Sequence, residues 1–260
     1  MRTTLVSTLV STLVSTLVST LVSTLLVVGA ASPAAGQRDC EHEATRSVTI
    51  RASTGDVLHL IARAGSLTVR GREGLTEVRV MGRACASSEE LLEQLRLETD
   101  RSGSTIRVEV PDIEGGSWLS GNRYHALHLD IEVPKGMAAR IEDGSGEIVL
   151  EGLGSLDLND GSGSIEITDM DGDIVIVDGS GDITVRGVDG SIGVNDGSGS
   201  ISIRDVEGTV DVEDDGSGSI DVRDVAGDFI VGDDGSGGIT YDNVSGRVDI
   251  PRRDRRRQRR

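Results

Sequence analysis

Aromatic residues are almost missing from this 260-residue chain, which has one Trp, two Tyr and one Phe. That scarcity removes the stacking platform on which nucleic acid is usually bound, and the strong acidity of the chain does not replace it. No specific nucleic-acid partner is expected. Cysteine is scarce too, with only Cys40 and Cys85. Neither has a histidine at metal-ligand spacing, which argues against zinc. The four histidines, His42, His59, His125 and His128, all precede the most regular part of the chain. His125 and His128 flank a strand at odd spacing and face opposite sides. No nucleophile, base and orienting group stand together, so the chain is expected not to be an enzyme. A polysaccharide-cleaving site would need acidic and basic groups in one groove. From Gly136 to Ile250 there are 27 acidic and 5 basic residues. The five are Arg140, Arg186, Arg204, Arg223 and Arg247. Arg186, Arg204 and Arg223 share one repeat position and read as a solvated ladder beside Asp205 and Asp224.

What the chain has in abundance is a repeat. DGSG occurs six times, beginning at Asp143, Asp160, Asp178, Asp196, Asp215 and Asp234. A spacing of about 18 residues means a coiling chain whose turns stack on one another. After each DGSG comes an apolar pair two residues apart, such as Ile165/Ile167, Ile183/Val185, Ile201/Ile203 or Ile239/Tyr241. A second pair follows, such as Leu156/Leu158, Ile174/Ile176, Ile192/Val194 or Val248/Ile250. Residues i and i+2 of a strand share a face, so each pair points inward. Two strands per coil then form two facing parallel sheets. One corner carries an aliphatic (Leu153, Met170, Val188, Val206, Val225, Val244) before a glycine, as at Gly208, that suits a tight turn. The other corner is DGSG, expected to present stacked Asp, Gly and Ser to solvent. The fold class is all-β, a single-chain parallel β-solenoid of six coils.

The ends differ from the repeat. Arg2, five tandem TLVS units and TLLVVGAASPAAG make residues 1–36 a secretory signal with cleavage after Gly36. An uncleaved membrane anchor is the alternative, and the only route to a membrane partner. Export places the chain in the periplasm, on the cell surface or in the medium, where Cys40 and Cys85 are expected to form a disulfide. Residues 37–135 alternate like strands, with one helix expected over 88–96 after the capping box Ser87-Ser88-Glu89-Glu90. This region is expected to cap the solenoid over 136–250. Trp118 lies on the 111–122 loop as a cap plug or a binding residue. The tail 251–260, PRRDRRRQRR, is solvated, folds back on the acidic corners, or binds phosphate-bearing polymers.

SLTVRG, then DIEVPKG at 130–136, then reiterated SGxIxVxxVxG coils resemble a bacterial family of exported adhesin-like β-helix proteins of unassigned function. The resemblance spans about residues 47–250 and implies a parallel β-helix in the cell envelope. It supplies no catalytic or ligand residues. The expected role is a structural or adhesive surface with an unidentified ligand, such as a polysaccharide or other envelope polymer. The alternative role is a calcium-binding module. Gly-rich nonapeptide β-rolls bind calcium between coils, which makes the six DGSG aspartates calcium candidates. Against this, the ligand position of such rolls, two before the inward aliphatic, holds Ile or Val here. Each Asp is expected instead to cap its own turn, with no cofactor.

Overall fold

The computed structural model describes residues 40–113 and 124–251; the expected signal segment, Trp118 and the Arg-rich tail beyond Pro251 lie outside them. The first part of the chain forms β1 (His42–Arg51), β2 (Val57–Ile61), β3 (Leu67–Arg72), β4 (Glu77–Ala86), α1 (Glu89–Gln94), β5 (Glu98–Ser102), β6 (Thr105–Glu109) and β7 (His125–Pro134). The repeats form β8 (Ala138–Asp143), β9 (Ile148–Glu151), β10 (Leu156–Asp160), β11 (Ile165–Met170), β12 (Ile174–Asp178), β13 (Ile183–Val188) and β14 (Ile192–Asp196). They continue with β15 (Ile201–Val206), β16 (Val210–Asp215), β17 (Gly218–Val225), β18 (Phe229–Asp234), β19 (Gly237–Val244) and β20 (Val248–Asp249).

These strands make two ten-stranded sheets. One runs β1-β4-β7-β3-β9-β11-β13-β15-β17-β19, and the other β20-β18-β16-β14-β12-β10-β8-β2-β6-β5. The chain is a β-solenoid of about six turns with a less regular N-terminal part. Even-numbered repeat strands lie in one sheet, cross the DGSG corner, and continue as odd-numbered strands in the other. Pairing is parallel and in register, apart from a bulge in β16 where Glu213 is an extra residue between Val212 and Asp214. Ile165 stands over Ile183, then Ile201, Ile220 and Ile239. Leu156, Ile174, Ile192, Val210 and Phe229 stack the same way in the facing sheet.

The inward pairs are buried along most of the solenoid, as are the aliphatic corners from Leu153 to Val225. The last coil departs from the expectation. Tyr241 is 38% exposed and Val244 and Val248 are half-buried, because a terminal coil has a neighbour on one side only. The Tyr241 ring leans toward Phe229, with centroids 6.0 Å apart.

The left-handed residue of the aliphatic corner is not the glycine that follows the aliphatic. It is the residue just before it. Asp169, Asp205, Asp224 and Asn243 have φ of 55°, 59°, 55° and 52°, and Gly152 and Gly187 fill the same place. Asp and Asn tolerate this region better than other side chains. Gly208 serves a different need, since a Cβ there would strike the Gly190 carbonyl.

The stretch before the repeats is built into the same two sheets. The coil β2–β3 is wedged between β6–β7 and β8–β9, with Val57 paired to both Thr105 and Ala138. Beyond it, β4 lies antiparallel to β7, β1 antiparallel to β4, and β5 antiparallel to β6. The helix is shorter than expected. Ser88 caps it by accepting the Leu91 amide, and Leu91 and Leu95 enter the core. Arg46 holds its far end, donating to the carbonyls of Leu95 at 2.7 Å and Leu92 at 2.9 Å.

Ile201 is 1% exposed, between counterparts in the coils on either side. Ile201→Asp puts an uncompensated charge between the sheets and is expected to cost about 3–5 kcal/mol. Chemical denaturation followed by circular dichroism checks this; a variant as stable as the parent would contradict the inward assignment.

Candidate functional site

The aspartates of the DGSG corners do not face solvent. Each closes the even-numbered strand of its coil, two residues past the second inward aliphatic in the first four coils, as in Ile174, Ile176, Asp178, and three past it at Asp215 and Asp234, where one extra residue in the strand restores the inward position. The two-residue period therefore turns the carboxylate inward. Relative exposure is 9% for Asp143, 2% for Asp160, 3% for Asp178, 2% for Asp196, 0% for Asp215 and 2% for Asp234. The sheet register stacks them without a break, from Asp143 on Asp160 through to Asp215 on Asp234. This overturns the expectation of a solvent-facing Asp edge. The same place is held by Ala62 and Val110 in the two coils beyond Asp143, both buried, so the file is walled by apolar side chains at that end.

The turn-capping expectation is met in part. Asp178 Oδ1 accepts the Ser180 amide at 3.2 Å, and Asp196 Oδ1 accepts the Ser198 amide at 3.1 Å. Their Oδ2 atoms are buried with no hydrogen-bond partner among the described residues, and neither oxygen of Asp143, Asp160 or Asp215 makes a hydrogen bond of full geometry, although the Gly144, Ser162 and Ser217 amides lie near enough to stabilise their charge. The other buried carboxylate, Asp56, is treated quite differently. It accepts from the Ser53 amide at 2.9 Å and from Arg101 at 2.8 Å, and these contacts hold its pKa below the usual carboxylate value.

Burial is the main cause of the opposite shift in the file. It pushes Asp143 up to about 7, helped by the charge of Asp160 and opposed by the Gly144 amide. It pushes Asp178 and Asp215 up to about 6, with their file neighbours adding repulsion. Asp160 and Asp196 are also raised by burial, against the turn amides. No three metal-ligating side chains converge on one point among the described residues, so the file is a series of paired carboxylates and not a chelating cluster.

The turn is made thin by glycine. Gly181 has φ of 145°, and a Cβ there would collide with the Gly163 carbonyl of the preceding coil. Gly161, Gly179 and Gly197, each next to a file aspartate, are exposed.

Elsewhere the expected candidates separate. Cys40 and Cys85 are joined by a disulfide, with Cα atoms 5.5 Å apart. His59 meets Glu142 at 3.2 Å. His128 Nδ1 accepts the Ser66 amide at 3.0 Å; burial, with the charge of Arg83 second, lowers its pKa. Arg186, Arg204 and Arg223 stack in register on the outer face of β13, β15 and β17. Arg223 pairs with Asp221 at 2.8 Å, and the charges of Asp242 and of the expected neighbour Asp224 also act on it. Among the described residues Arg186 and Arg204 make no ion pair. A shallow depression of about 180 Å³ lies between Ser202, Arg204, Asp221 and Arg223.

No family model matches the chain, and no curated relative does. Among solved structures the fold is similar to that of a "putative lipid binding protein" from Parabacteroides distasonis. Identity is 19% and the TM-score 0.47, over 80% of this chain and 94% of that chain. It is also similar to a "putative adhesin" from Bacteroides fragilis, at 12% identity and a TM-score of 0.40, over 80% and 97% of the two chains. A "putative cell adhesion protein" from Clostridium sporogenes aligns at 11% identity and a TM-score of 0.32, over 80% and 99%.

The file sets a pH dependence of unusual sign. A carboxyl whose folded pKa lies above its unfolded value of 3.8 is protonated more readily in the folded state. Its burial therefore costs most above about pH 7, and the cost is relieved as pH falls through 7 and 6 toward 4. The melting temperature is expected to rise as pH is lowered from 8 to 5. Asp178→Asn with Asp215→Asn keeps the turn and removes two charges, and should flatten that rise while stabilising the protein at pH 8. Thermal melts across this range in the presence of chelator check both; a metal-free parent that loses stability between pH 7 and 5 would refute the reading.

Proposed function

We propose that this chain is an exported, non-catalytic solenoid whose outer faces form an adhesive surface toward anionic polymers of the cell envelope. The observation that carries the reading is the row Arg186, Arg204, Arg223, exposed and in register on one sheet face. Coil stacking puts these arginines about 4.8 Å apart, and like charges that close disfavour the bare surface. An anionic chain laid along the solenoid axis meets all three. Guanidinium groups pair bidentately with carboxylate or phosphate, which suits uronate-bearing or phosphodiester polymers alike. Beside the row stand Thr184 and Ser202, small hydroxyls that leave the face flat, and Asp221, which already pairs with Arg223, so Arg186 and Arg204 are the open members.

Repetition also supports a non-catalytic role. It places like residues beside like, whereas catalysis needs unlike groups brought to one point. The signal-like segment and the cysteine pair support export.

Co-sedimentation of the mature chain with an insoluble acidic polysaccharide, a phosphodiester wall polymer and a neutral glucan tests the proposal. Retention is expected on the acidic polymers and to fall several-fold in Arg186→Ser/Arg204→Ser/Arg223→Ser. Equal retention of the triple variant, or equal binding to the neutral glucan, would remove the arginine face from the reading.

A further inference from the structure

Carboxylates do not stay bare in a dry interior, and among the described residues no cation faces the file between Asp143 and Asp215. The charged groups that act on it beyond its own members are Asp182, near Asp196, and Asp214, near Asp215, and both are acidic. Asp143, Asp160, Asp178, Asp196 and Asp215 are each at least nine-tenths buried and keep at least one unpartnered oxygen inside the corner. Buried polar groups left without a partner in a native fold call for an ion or a water to complete them.

We propose that the DGSG edge is a file of calcium sites, in which ions of that size and charge sit between the aspartate carboxylates of successive coils. This rests on the buried file alone and is independent of the adhesive reading of the arginine face. Spacing selects the ion. Strands in a sheet lie about 4.8 Å apart, so an ion midway between stacked carboxylates is about 2.4 Å from each, within the calcium–oxygen range. Magnesium requires about 2.0–2.1 Å in a tight octahedron and fits a fixed strand spacing poorly. Charge sets the number. The five carboxylates from Asp143 to Asp215 are balanced by two to three divalent ions, so alternate gaps fill and the intervening gaps stay empty. Carboxylates contribute two oxygens each, and turn carbonyls, whose second lone pairs remain open, or water complete the shell. Entry is short, because exposed Gly161, Gly179 and Gly197 stand between solvent and the carboxylates. Protons are the competitor for the same oxygens, so calcium is held at alkaline pH and released on acidification.

The test uses the mature chain, stripped with chelator, at pH 8. Calcium chloride is titrated by calorimetry and the protein is melted with calcium, with magnesium, or with chelator. Uptake of about two to three ions per chain is expected, with a rise in Tm of more than about 5 °C at saturation, a much smaller rise with magnesium, and loss of the calcium effect at pH 5. Asp178→Asn/Asp196→Asn should take up at least one ion fewer and lose most of the rise. The surface pair Asp171→Asn/Asp189→Asn should behave as the parent. If the double file variant does not fold, Asp143→Asn at the end of the file takes its place, with the same expectation. No uptake at pH 8, equal responses to calcium and magnesium, or full uptake by the file variant would each overturn the proposal. In the first of these cases the file is neutralised by protons alone.

Discussion

Each coil hydrogen-bonds in register to the next, and that register forces every residue to stack on its own counterpart. The amide of Gly197 donates to the Asp178 carbonyl and that of Gly216 to the Asp196 carbonyl, so even the corners are stitched from coil to coil. A ladder of this kind multiplies whatever sits at a position. Stacked isoleucines each gain from the next, because β-branched side chains pack well on a pleated surface. Stacked charges suffer likewise. Two unit charges about 4.8 Å apart repel by roughly 3.5 kcal/mol at an effective dielectric of about 20, against roughly 1 kcal/mol in water. The hydrophobic ladder holds the solenoid together, and the same register makes the aspartate file its most conditional part.

Register also dictates where side chains are forbidden. The tight corner brings backbone onto backbone, and the glycine path runs through the wedged coil as well. A Cβ on Gly146 would strike the Gly65 carbonyl, just as one on Gly163 would strike that of Gly146. The segment Arg63-Ala64-Gly65-Ser66 is thus a worn copy of the DGSG corner, with Ala62 in place of the aspartate. The N-terminal part is a pair of degenerate coils finished by antiparallel strands, which stop the ladder from recruiting further parallel strands at that end.

Much of this was legible in the residues. The two-residue spacing of Ile201 and Ile203 fixes their face, and the buried aliphatic at Val206 marks a corner. The burial of Asp178 was legible too, since it continues the inward series Ile174, Ile176. The polar, turn-forming character of DGSG pointed the other way and masked it. Two features were not legible. Asp169, Asp205 and Asp224 take left-handed backbone where glycine stands in other coils, and one sequence does not say which Asp does so. The wedging of β2–β3 depends on Val57 finding Ala138, a pairing across most of the N-terminal region that no local pattern encodes. The arginine row was legible as a repeat position, but its partner was not. A side chain two residues away, Asp221, lies on the same strand face as Arg223, whereas Asp224 lies in the corner.

The two edges of the solenoid show that the aspartates are not a requirement of the fold. The opposite corner holds an aliphatic in every coil, and on the DGSG edge itself Ala62 and Val110 occupy the file position without difficulty. A well-packed apolar side chain in place of a buried charge is commonly neutral or stabilising. Asp56 shows that a buried carboxylate in this chain can be given an arginine and a turn amide. Among the described residues, the file from Asp143 to Asp215 receives amides at one oxygen at best and no arginine. Six successive coils therefore keep the costlier residue, and on the calcium proposal its neutralisation falls to species from the surrounding medium. On that proposal protons and divalent cations both reach it through a skin of glycine, and both would favour the folded coil over the open one. The rigidity of the stacked faces, on which any adhesive contact depends, is in this way tied to the ionic conditions outside the chain.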